Sequence, residues 1–234
     1  VIKGGRITTS GVQSYGEDLV LDNASHTTVL NTTNAALTFS GKVNNADNTV
    51  GATAQDLSVN AGSGAVLFSE TLGDAGSLGA VTVNSTGATT FTKAVDAASL
   101  TTNAGGTVVI KGGRITTSGA QSYGEDLVLD NASHTTALNT TNAAVSFSGK
   151  VNNADNTVGA TAQDLSINAG SGAVLFSETL GDAGALGAVT VNSTGATTFT
   201  KAVDAASVTT NAGGTVVIKG GRITTSGVQS YGED

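Results

Sequence analysis

The chain is 234 residues long, carries a formal net charge of −8, and contains 32 Gly but no Pro, Cys, Met or Trp. Without Cys there is no disulfide framework, thiolate metal site or thiol nucleophile; without a basic stripe there is no footprint for a phosphate backbone, so nucleic acid is not an expected partner. No run approaches the ~18 consecutive apolar residues of a membrane-spanning helix, whereas the abundance of Thr, Val, Asn and Gly suits strands and tight turns.

The chain opens on Val1-Ile2-Lys3-Gly4-Gly5-Arg6, and the same hexapeptide returns at Val109 and Val217. Residues 1–108 and 109–216 are therefore two copies of one unit, and 217–234 begin a third, so the chain is expected to be a fragment of a longer array. The copies differ at seven positions: Val12/Ala120, Val29/Ala137, Leu37/Val145, Thr38/Ser146, Val59/Ile167, Ser77/Ala185 and Leu100/Val208. Five of these exchange one aliphatic residue for another, as a core that demands only volume and polarity allows.

Within the unit, Gly11–Tyr15 is read as the strand of an extra rung. Leu19-Val20-Leu21-Asp22, Leu57-Ser58-Val59-Asn60, Val81-Thr82-Val83-Asn84 and Leu100-Thr101-Thr102-Asn103 are four versions of a first strand. Each is followed by a second strand: Leu37-Thr38-Phe39, Val66-Leu67-Phe68, Thr89-Thr90-Phe91 and Val108-Val109-Ile110. A further apolar residue comes next: Val43, Leu72, Val95 and Ile115. Period-2 alternation in these runs marks strands with one buried face. The first strands are spaced by 38, 24, 19 and 27 residues, so loops of unequal length interrupt a common scaffold, and the longest, 44–54, is expected to be an exposed excursion.

These features predict an all-β fold, a parallel β-helix (β-solenoid) with four to five coils per 108-residue unit, continuous from one unit into the next. The alternative is a string of Ig-like β-sandwiches, whose domain size is similar; a sandwich has no need for a sub-repeat among its strands. The β-helix predicts an internal column of Phe39, Phe68 and Phe91 continued by Ile110, and an Asn ladder of Asn60, Asn84 and Asn103 at a turn.

No constellation of catalytic, cofactor-binding or metal-ligating residues emerges. His26 and its copy His134 are the only histidines, and Ser25 beside His26 points to the opposite face of an extended strand. The carboxylates Asp18, Asp22, Asp47, Asp56, Glu70, Asp74 and Asp96 are dispersed through turns. The Asn44–Asn48 segment lacks the Asp-x-Asp-x-Asp-Gly spacing of a Ca²⁺ loop. Lys111-Gly112-Gly113-Arg114 lacks the order and the helix of a phosphate-cradling loop, and its glycines are expected to turn the chain. Asn23, Asn31 and Asn84 begin Asn-x-Ser/Thr triplets that chance explains in so polar a chain, and Thr pairs such as Thr8-Thr9 are too interrupted for a flat Thr array.

The segments ITTSGVQSYGEDLVLDN, LTFSGKV, QDLSVNAGSGAVLF and AVTVNSTGATTF resemble repeats of very large bacterial exoproteins of the filamentous-haemagglutinin-like type. That resemblance implies a β-helical rod, exported to the cell surface or secreted, and used in adhesion or surface coating. The expectation is therefore a non-catalytic structural rod that contacts neighbouring repeats of its own chain, with self-association into filaments and contact with a surface or polysaccharide as further expectations. A carbohydrate-active β-helix enzyme and a subunit of a laterally assembled filament or sheath are the alternatives.

Overall fold

The computed structural model describes residues 1–46, 53–103, 105–154, 161–211 and 213–232. The first unit supplies β1 (Arg6–Thr9), β2 (Gln13–Tyr15), β3 (Leu19–Leu21), β4 (Thr27–Thr32), β5 (Leu37–Phe39) and β6 (Val43–Asn45). It continues with β7 (Asp56–Gly62), β8 (Val66–Phe68), β9 (Leu78–Ser85), β10 (Ala88–Phe91) and β11 (Val95–Thr102), and β12 (Thr107–Ile110) crosses into the second unit. The second unit repeats the series from β13 (Arg114–Thr117), β14 (Gln121–Tyr123), β15 (Asp126–Leu129) and β16 (Thr135–Thr140) onward.

Every strand pairing is parallel, which rules out the antiparallel sheets of an Ig-like sandwich and makes the chain a β-solenoid of about nine turns. Each turn has three faces. On the first, partner follows partner from Ile7 through Leu30, Val59, Val83, Thr102, Tyr123, Phe147, Phe176 and Phe199 to Ile218. On the second, Tyr15 is followed by Phe39, Phe68, Phe91, Ile110 and Leu129. The third runs from Leu19 through Val43, Leu72, Val95, Ile115 and Leu138 to Ile167.

Alternation places these residues inside. In β7, Leu57, Val59 and Ala61 are buried while Asp56, Ser58 and Asn60 face outward. Phe39, Phe68 and Phe91 form the expected column, with ring centroids 4.6 and 5.2 Å apart, close to the ~4.8 Å separation of paired strands. Tyr15 extends it at one end and Ile110 at the other.

The number of coils falls between the two expected integers. Four turns carry Ile7 to Thr102 on the first face, and two further faces carry the chain to Ile115, the copy of Ile7, which lies on the third. A unit thus makes four and two-thirds turns, and each copy is displaced by one face. Tyr15 stacks on the second face, whereas its copy Tyr123 begins the column Tyr123, Phe147, Phe176 and Phe199 on the first. Leu19–Leu21 is accordingly not a first strand: β3 pairs with β6 on the third face, and the first-face strand preceding Phe39 is β4. Alternation reveals that one side of a strand is buried, not which wall of the prism it belongs to.

The Gly11–Tyr15 rung is present as β2. Of the expected 44–54 excursion, Asn44 and Asn45 belong to β6, and residues 47–52, with Asp47, lie outside the described residues.

Candidate functional site

Close stacking of the corners dictates much of the turn chemistry. A Cβ at Gly112 would lie 2.1 Å from the backbone of Lys93 in the turn below, so only glycine fits there. The Lys111–Arg114 corner then spreads its two cations onto adjacent turns. Lys111 Nζ pairs with Asp130 at 2.9 Å, and Arg114 grips Asp96 through two parallel bonds of 2.6 and 2.7 Å. Lys42 reaches Asp74 at 2.7 Å; that hydrogen bond holds the Asp74 carboxyl below its ordinary range and raises the Lys42 ammonium. These cations are engaged turn to turn rather than turned toward one shared anion.

Ser25 and His26 do not meet. Ser25 hydrogen-bonds Asn23 Oδ1 through both its N–H and its hydroxyl, while His26, at φ 55, places Nδ1 3.1 Å from Gln55 Nε2. The Gln amide can only donate from nitrogen, so Nδ1 accepts and the imidazole proton sits on Nε2. Gln55 also exchanges two 3.1 Å bonds with the backbone of Asn23, clamping one corner to the next, and Gln163 repeats this with Asn131 and His134. Asn23, noted as a triplet, is thus a corner residue, 6% exposed.

The Asn ladder exists with a different membership. Asn60 Nδ2 donates to Asn31 Oδ1 at 2.8 Å and Asn84 Nδ2 to Asn60 Oδ1 at 2.6 Å, and Asn31 in turn reaches Thr8. Asn103 leaves the ladder because its Oδ1 accepts from the Ser85 N–H. The ladder therefore runs along the outer side of strands, not at a turn, and its copy joins Asn139, Asn168 and Asn192.

Among the described residues, no three His, Asp or Glu side chains converge to hold a metal ion. Asp18, Asp56 and Asp74 instead tie turns together: Asp18 Oδ1 accepts from Lys42 N and Asp56 Oδ1 from Ala80 N. Asp22 pairs with Lys3. Glu70 acts through charge, helping Asp74 to raise the Lys42 ammonium. Polar groups are also found within the solenoid. Tyr123 is fully buried, donates to Gln121 Oε1, and has its phenol pKa raised by burial; Gln121 then donates to Asn139 O.

One residue escaped the sequence reading. Glu125 is 2% exposed and neither of its carboxyl oxygens has a hydrogen-bond partner. Its copy Glu17 has the same local sequence and is exposed, so the burial comes from the turn beneath and leaves no local signature.

No protein-family model matches the chain, and no curated protein or solved structure is significantly similar to it.

Proposed function

We propose that the chain is part of a non-catalytic structural rod in a secreted or cell-surface fibre or adhesin of the filamentous-haemagglutinin-like kind, in which the number of units sets the reach. The observation that supports this reading most is the continuity of pairing across the unit boundary: β11 of the first unit pairs with β13 and β14 of the second, and β12 itself spans the boundary and pairs with β15 along its whole length. A near-identical unit can then be added without a new interface, and length becomes the quantity that varies.

The proposed partners are neighbouring units, further copies of the chain, and surface polysaccharide, toward which the outward column of Ser58, Thr82 and Thr101 offers hydroxyls. Four and two-thirds turns at ~4.8 Å give an advance of about 22 Å per unit. Negative-stain images of chains with two, four and six units should lengthen by that increment, and antibodies to the chain should label intact producing cells. Lengths that do not follow unit number, antigen confined to the cytoplasm, or release of reducing ends from acidic polysaccharides would overturn the proposal.

A further inference from the structure

Glu125 is the only acidic or basic side chain in the buried interior among the described residues. It occupies the corner between β14 and β15, where the second unit rests on the last turn of the first. Gly124 N donates to Thr102 O at 2.9 Å, which seats this corner on the turn below.

Glycines pack against Glu125 from both sides, Gly106 at its carboxyl and Gly149 at its backbone. A Cβ at Gly106 beneath it would lie 2.8 Å from Glu125 Oε2, 2.4 Å from Gly87 O and 3.1 Å from Ser85 O; a Cβ at Gly149 above would lie 2.4 Å from the Glu125 backbone. The carboxyl thus shares the space above Gly106 with the Gly87 and Ser85 carbonyls, and among the described residues no N–H or hydroxyl donates to it. Such surroundings favour a neutral acid, which can donate, over a carboxylate, which needs donors.

The charged groups around it are occupied elsewhere. Asp126, on the same corner, accepts the Lys150 N–H at 2.8 Å; Lys150, on the corner above, holds Asp182 at 2.8 Å; the described residues of the corner below, Asn103, Gly105 and Gly106, carry no charge. Burial alone accordingly raises the Glu125 carboxyl, to about 7.

We propose that Glu125 is a proton-operated latch at the boundary between units: protonated, it lets the corners close, and ionised, it opens them. The sign follows from the folded group being the weaker acid. The latch contributes fully below the unfolded value of ~4.5, its contribution declines as pH rises from there to about 7, and it is lost above.

Hydrogen exchange of the 234-residue chain, corrected for intrinsic rates and followed over residues 121–129 from pH 5 to 8.5, tests this. The wild type should lose protection about tenfold or more over that range. Glu125→Gln, neutral at every pH, should show a flat profile, and Glu17→Gln, altering the exposed copy, should behave as the wild type. Parallel loss in wild type and Glu125→Gln would refute the latch. If Glu125→Gln does not fold, the carboxyl ¹³C shift of Glu125 in the wild type decides instead: a midpoint near 7 supports the latch and one near 4.5 overturns it.

Discussion

Replacing Phe68 by Ala removes the middle ring of a column whose neighbours sit 4.6 and 5.2 Å away, at a site with no solvent exposure. Phe39 and Phe91 are held by their own strands at the spacing of the ladder, so they cannot slide together to fill the gap. The cost therefore falls in the range for an uncollapsed core cavity, about 3–5 kcal/mol. A solenoid opens turn by turn, so the loss is read locally rather than from one global transition. At ~1.36 kcal/mol per factor of ten, native-state hydrogen exchange at Val66–Phe68 and at the strands paired with it should accelerate between about a hundredfold and a few thousandfold. Leu67 lies on the same strand, faces outward and is 36% exposed, so Leu67→Ala should cost no more than ~1 kcal/mol. Phe176→Ala, in the matching place of the second column, should repeat the Phe68 result. Equal acceleration by Phe68→Ala and Leu67→Ala would refute the assignment of inside and outside on which the fold rests.

Three other tests probe different forces. Thr89 is fully buried between Val66 and Val108 with its hydroxyl unbonded, so Thr89→Val should stabilise the chain by about 1–2 kcal/mol, seen as a higher urea midpoint. Gly112→Ala forces a methyl against the Lys93 backbone and should cost about 3 kcal/mol or more, whereas Gly4→Ala, its copy with nothing within 4 Å, should be nearly neutral; thermal melts of the two separate them. Asn60→Asp sets a carboxylate against Asn31 Oδ1, where an amide donates at 2.8 Å, and should cost about 1–3 kcal/mol at neutral pH, recovering as acid protonates the new group.

Much of the fold was legible because the forces that build it are local and repeated. Alternating Leu57-Ser58-Val59-Asn60 identifies a half-buried strand, and the recurrence of Phe at 39, 68 and 91 identifies a shared place in successive turns. The assignment of Leu19–Leu21 to a face was not legible, because β3 and a first-face strand have the same alternation, and only pairing with Val43–Asn45 distinguishes them. The ladder partner Asn31 was hidden for a related reason: it is set by the register of β4 on β7, not by the short motif in which Asn60 and Asn84 sit. Glu125 was the least visible, since its identical copy is exposed and only a stacked turn makes the difference.

The fractional turn in each unit also has a mechanical consequence. Corners in the unit differ in length, with three residues between β12 and β13 against nine between β8 and β9, so any one unit is stiffer about some directions than others. A unit with a whole number of turns would align its softest corner along one side, and an array of such units would arc toward it. With Tyr15 on one wall and Tyr123 on the next, successive units instead aim their soft side at successive azimuths and return to the first after three units. Bending biases of opposite sense cancel over that distance, so a long array stays straight and resists a sideways load equally from every direction.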